Sequence, residues 1–157
     1  MSIAIDVEFK LEVEIDELDD ILDAARERAQ LLGLPYAGDV SPREAWMLFS
    51  NSYALLIDVR TVEERSKVGY VPESAHVAWA TGNPLERNLN FVRELGSKVG
   101  KLDVILFLCR SGKRSVAAAD AVSRLGFKNV FNVTEGFEGE PGLGNGWRSH
   151  DLPWTKD

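Results

Sequence analysis

The rhythm of hydrophobic and polar positions changes twice along the chain. Ile3, Ile5, Val7, Phe9, Leu11, Val13 and Ile15 alternate with mostly charged residues, a period of two that predicts a strand with one buried face. From Glu17 the spacing becomes three and four (Leu18, Ile21, Leu22, Ala25, Ala29, Leu32), which predicts an amphipathic helix with Asp16 as its N-cap and Gly33-Leu34-Pro35 as its stop. A lone strand with an apolar face needs a partner, so this segment is expected to lie on the rest of the chain or to pair with a second copy in a homodimer.

From Tyr36 onward strand-like and helix-like stretches alternate, the pattern of an α/β domain. Ser41-Pro42-Arg43-Glu44 combines an N-cap, a proline at the first helical position and a glutamate two residues later, and opens a short helix through Phe49. Tyr53 to Val59 is an apolar run broken only by Asp58, as expected of a parallel strand covered on both faces. Short strands are expected at Ala75 to Trp79 and Val130 to Val133, and helices at Leu89 to Val99 and Ser115 to Leu125. Val104 to Leu108 is the most apolar strand. A Gly-rich loop runs from Gly136 to Gly146.

Charge divides the chain in the same place. Residues 1–23 hold nine acids against Lys10 alone, a net −8, whereas the remainder carries 17 bases and 16 acids, so the whole of the net −7 comes from the first segment. The chain is therefore read as an acidic strand-helix extension, residues 1–35, and a near-neutral body, residues 36–157. The overall acidity argues against nucleic acid as a partner. No apolar run approaches the ~20 residues of a membrane span, and Met1 to Glu8 lack the basic-then-apolar order of a signal peptide. A single cysteine in 157 residues excludes an intramolecular disulfide framework and a Cys-rich zinc site, and a cytoplasmic location is the expectation.

That cysteine begins the most informative stretch, Cys109-Arg110-Ser111-Gly112-Lys113-Arg114-Ser115, between a buried strand and a helix. Ligands bind at the carboxyl ends of strands in open parallel sheets. A short loop containing glycine can turn successive N–H groups inward and hold an anion at the following helix N-terminus. An ordinary thiol, with pKa near ~8.5, is mostly protonated at neutral pH; a helix N-terminus and cations can lower it to ~7 or below. A lone cysteine after an apolar strand is commonly a packing residue, but packing does not call for three cations and a glycine within five residues.

The loop resembles the active-site loop of rhodanese-type sulfurtransferases, and other stretches follow in the same order. Leu56-Ile57-Asp58-Val59-Arg60 with Glu63-Glu64 is similar to that family's D-V-R signature, and Gly69 to Val77 to its G-H-I-P-G segment. Asn132-Val133-Thr134-Glu135-Gly136 and Trp147 are similar to its closing G-G-x-x-x-W element. Tyr70, Glu73 and Phe137 depart from the pattern, and nine residues instead of a few separate Phe137 from Trp147. The longer loop is expected to border the pocket.

The resemblance implies an open, mostly parallel sheet with helices on both faces, and a Cys109 thiolate that takes the outer sulfur of thiosulfate or a persulfide donor. A thiol or cyanide, or a protein acceptor, would then receive it. It implies no metal and no organic cofactor. The N–H groups of residues 110–115 would stabilise the charged outer sulfur, Arg110 and Lys113 would draw in an anionic donor, and Arg114 would serve there or turn outward. Ser115 would N-cap the helix; Ser111 and Gly112 complete the cradle. Asp58 is expected to bond nearby N–H groups in support of the loop, and Arg60 to pair with Glu63, Glu64 or Glu73. His76 is expected to be a hydrogen-bonded packing residue. A cysteine phosphatase is the rival enzyme, but its loop is Cys-x5-Arg, whereas Cys109 to Arg114 is Cys-x4-Arg. A non-catalytic interaction module is the rival from another class, and the cysteine argues against it.

Overall fold

The computed structural model describes residues 2–157, with side chains from residue 15 onward. A five-stranded sheet in the order β1-β7-β6-β2-β3, parallel throughout, forms its centre. The strands are β1 (Gly38–Val40), β2 (Leu55–Asp58), β3 (Ala75–His76), β6 (Ile105–Leu108) and β7 (Val130–Val133), while β4 (Ala80–Thr81) and β5 (Glu86–Arg87) form a separate hairpin. The helices are α1 (Ser2–Leu32), α2 (Pro42–Ser50), α3 (Val62–Val68), α4 (Phe91–Gly96) and α5 (Lys113–Ser123), followed by a 3-10 turn at Trp147–His150.

Both sheet faces are covered, which is why the central strands read as unbroken apolar runs. Ile57, Ile105 and Phe107 face α4 and α5, packing with Phe91, Leu95, Ala118, Ala119 and Val122. Their neighbours Leu56, Leu106 and Leu108 point the other way, toward Leu18, Leu22 and Ala25 of α1, Ala45 and Leu48 of α2, and Trp147. The predicted capping box at α2 is present: Ser41 Oγ accepts from the Glu44 amide at 3.1 Å and Glu44 accepts from the Ser41 amide at 2.8 Å. α1 lies so close to β1 that a Cβ on Gly38 would stand 2.6 Å from the Ala25 carbonyl oxygen.

One expected element is corrected. Ile3 to Ile15, expected as a strand, belongs to α1, and Asp16 lies inside that helix instead of capping it. A strand of this length needs a partner for every second backbone group, whereas a helix already nucleated by the packed Leu18–Ala29 face extends with one internal bond per added residue. The pairing strand behind the homodimer expectation is therefore not formed.

Candidate active site

Cys109, only 1% exposed, follows the last residue of β6, and the chain then turns sharply into α5. Gly112 makes that turn with φ of +104°, left-handed backbone that suits glycine, and it occupies the N-cap of α5. The turn brings the Gly112 N–H to 3.1 Å from Cys109 Sγ, donating to the sulfur. Ser115 is therefore not the N-cap: it sits in the first turn, fully buried, with Oγ 3.2 Å from Cys109 Sγ.

The loop is backed by the segment after β7. The Phe137 amide donates to the Cys109 carbonyl at 2.8 Å and the Glu138 amide to the Arg110 carbonyl at 3.0 Å. Gly136 runs against the same backbone, with φ of +70°, and a Cβ there would collide with the carbonyl of Arg110. The loop thus rests on a second backbone and not on side chains alone.

Asp58 and Arg60, both fully buried, lie at and just beyond the end of β2. Asp58 accepts the backbone N–H of Arg60 at 2.9 Å. Arg60 does not pair with Glu63, Glu64 or Glu73: its side chain donates to Asp58, with Nη2 to Oδ2 at 2.8 Å, and to the Gly69 carbonyl at 2.7 Å. A buried carboxylate two residues away is the stronger partner for a buried guanidinium than acids on the outward helix α3. Arg65 adds a third bond to Asp58 at 3.0 Å. Arg60 Nη1 has no hydrogen-bond partner among the described residues; the guanidinium lies 4.3 Å over the Phe137 ring, which sets it against the residue that tethers Cys109. His76 accepts the packing role expected of it, with Nε2 2.7 Å from the Arg60 carbonyl oxygen.

The cations around the loop are held differently from the sequence expectation. Arg114 turns to α3, where Nη1 and Nη2 meet the two oxygens of Glu64 at 2.7 and 2.8 Å. Burial would raise the Glu64 pKa, but the bonds from Arg114 and Thr61 overcome it and hold the carboxyl at about 2. Arg110 pairs with Glu138 at 3.3 Å. Lys113 makes no ion pair among the described residues. A cleft of about 580 Å³ on the Arg110 side is lined by Glu63, Glu64 and Glu138 as well as Lys67, Arg110 and Arg114; another of about 360 Å³ is lined by Ser111, Gly112 and Lys113 with Glu135 and Glu140. The mouth is charge-balanced, not positive. Two of its acids, Glu138 and Glu140, come from the long loop, which does border both clefts.

Several groups at the site carried no local signal. Asn132 of β7 faces Ser115, with Ser115 Oγ donating to Asn132 Oδ1 at 2.5 Å; Asn132 Nδ2 donates to Asp39 at 3.1 Å, and Asp39 also accepts from the Tyr36 hydroxyl at 2.8 Å. Burial and the Asp39 carboxylate push the Tyr36 phenol above its ordinary value. The sequence marked Asn132 as a polar residue inside the apolar run Val130 to Val133 and as part of the closing motif, with no sign of its partners. Glu135, at the lip of the smaller cleft, accepts from the Gly146 amide at 2.9 Å and lies 2.8 Å from His150 Nε2. Burial acts to raise the Glu135 pKa, and these two partners outweigh it and lower it.

A buried thiol that receives an amide at a helix N-terminus, in a loop clamped from behind, is arranged for a sulfur-centred nucleophile. The family model for the rhodanese-like domain matches residues 41–139, which span β2, the Cys109 loop and the segment behind it. The chain belongs to the rhodanese-like domain family. It is 39% identical over 114 residues to "Uncharacterized protein RP600 homolog" of Rickettsia rickettsii, covering 69% of this chain and 88% of that protein. The crystal structure of Rv0390 from M. tuberculosis superposes with a TM-score of 0.70 at 38% identity, over 78% of this chain and 99% of that one. The polysulfide-sulfur transferase homodimer of Wolinella succinogenes has the same fold, with a TM-score of 0.55 at 20% identity over 88% and 92% of the two chains. In this rhodanese-like chain no helix among the described residues is long and apolar enough to cross a membrane.

Proposed function

We propose that this chain is a sulfurtransferase that carries sulfane sulfur as a persulfide on Cys109. The observation that carries the reading is the Gly112 amide, which donates to the buried Cys109 Sγ at the start of α5. In the first step the Cys109 thiolate attacks the outer sulfur of the donor. The donor's S–S bond breaks, its electron pair leaves with sulfite or a thiolate, and Cys109 keeps an S–S⁻ group. In the second step an acceptor thiolate or cyanide attacks that outer sulfur and Cys109 leaves as thiolate, so both transfers balance without an oxidant. With a single cysteine in the chain, no internal thiol resolves the persulfide, and the acceptor is external. Loop N–H groups at the start of α5 stabilise the charge on the outer sulfur.

The balanced mouth bears on the donor. Pairing of Arg110 with Glu138 and of Arg114 with Glu64 leaves little net attraction for a dianion, so a thiol persulfide, small or protein-borne, is the better donor and thiosulfate the poorer one. Delivery to a protein acceptor in the cytoplasm, where thiols are reduced, fits the same chemistry. The test is the rate of sulfur transfer to cyanide from a low-molecular-weight thiol persulfide and from thiosulfate. Cys109-dependent transfer, faster from the persulfide, is expected. Phosphatase turnover with no sulfur transfer from either donor would overturn the reading.

A further inference from the structure

Four side chains, three of them outside the loop, run in a line behind the cysteine, and their donors and acceptors can be assigned one after another. Asp39 and Asn132 are register partners on the neighbouring strands β1 and β7. A carboxylate only accepts, so Asn132 turns its Nδ2 to Asp39 Oδ1, 3.1 Å away, and the Tyr36 hydroxyl donates to the same oxygen at 2.8 Å. Asn132 must then turn its carbonyl toward Ser115, whose Oγ is 2.5 Å away. Ser115 has one proton and two acceptor-only neighbours, Asn132 Oδ1 and the Gly112 carbonyl at 3.1 Å. Its proton goes to Asn132, and its lone pairs face Cys109 Sγ.

We propose that Asn132, oriented by Asp39, is a positioning residue that makes Ser115 an acceptor toward Cys109 and so holds back ionisation of the thiol. In this arrangement the thiol S–H donates to Ser115. A thiolate formed with Ser115 still turned to Asn132 faces the hydroxyl's lone pairs, and turning the Ser115 proton to sulfur instead leaves two oxygens 2.5 Å apart with no proton between them. The Gly112 N–H, donating to the same sulfur, acts in the opposite direction. The other charged groups around the loop are Arg110 and Lys113 within it, Arg114 on α5, Asp58 and Arg60 at the end of β2, and Glu135 after β7. None of them touches the Asn132 amide.

The inference rests on Cys109 being the working nucleophile, but its test reads ionisation and not sulfur transfer. Thiolate absorbance in the ultraviolet is followed against pH, with Cys109→Ser as the blank; because the chain has one cysteine, the difference belongs to Cys109 alone. Asn132→Ala frees the Ser115 proton for the sulfur. Asp39→Asn keeps the shape of the side chain and lets the Asn132 amide turn over, with the same consequence. Each is expected to lower the titration midpoint, and neither is expected to do so in a Ser115→Ala background. If Asn132→Ala does not fold, Asp39→Asn decides. An unchanged midpoint in the folded variant overturns the proposal, as does an equal shift when Ser115 is alanine, since that would make the effect one of charge or packing.

Discussion

Replacing Glu64 with glutamine removes one charge and keeps the shape of the side chain, so it isolates the ion pair that joins α3 to α5. Glu64 accepts from Arg114 at 2.7 and 2.8 Å and from the Thr61 amide at 3.0 Å. Burial pushes the carboxyl upward, yet these bonds hold it at about 2, against an ordinary value of 4.5. The folded-state value lies below the unfolded one. The stabilisation is therefore complete above about pH 4.5 and is lost as pH falls from there through about 2. Taken whole, such a shift corresponds to about 3 kcal/mol. The two side chains are 21% and 20% exposed, and solvent screening reduces the expected contribution to about 1–2 kcal/mol. Glutamine still accepts from Thr61, so the cap of α3 remains. In urea unfolding, Glu64→Gln should be less stable than wild type by about 1–2 kcal/mol near neutral pH, and the gap should close as pH falls toward the native carboxyl's value. A gap that is the same at about pH 7 and about pH 3 would refute the reasoning.

Glu138→Gln removes the acid that neutralises Arg110, and kcat/KM for thiosulfate should rise about two- to fivefold, with the gain suppressed by added salt. Gly136→Ala should cost about 2 kcal/mol or more in thermal unfolding and abolish sulfur transfer, because the methyl meets the Arg110 carbonyl that positions the loop. Glu73 occupies left-handed backbone, φ +68°, where the family pattern has glycine; Glu73→Gly should stabilise by about 0.5 kcal/mol, measured by chemical unfolding.

The sequence made legible what depends on neighbours along the chain. The β6 run, the Gly112 turn and α5 are local, so Cys109 and its loop were visible from spacing and residue type. The capping box at Ser41 was visible for the same reason. What depends on strand order was not. Asp39 and Asn132 are 93 residues apart and meet because β1 pairs with β7, while Glu64 and Arg114 are 50 apart and meet because α3 and α5 approach across the larger cleft. The count of cations in the loop therefore misread the charge of the mouth, whose acids come from α3 and from the loop after β7. Ile3 to Ile15 misled for another reason: alternation reports which face is apolar if the segment is a strand, but not whether a partner exists to receive its hydrogen bonds.

The central claim is that Cys109 carries transferable sulfur, and intact-protein mass spectrometry tests it most directly. Purified protein is incubated with a thiol persulfide, desalted, and weighed before and after cyanide is added. Wild type should gain the mass of one sulfur atom and lose it to cyanide as thiocyanate appears, while Cys109→Ser should gain none. A wild-type protein that stays unmodified, or a Cys109→Ser variant that carries the same added sulfur, would contradict the account.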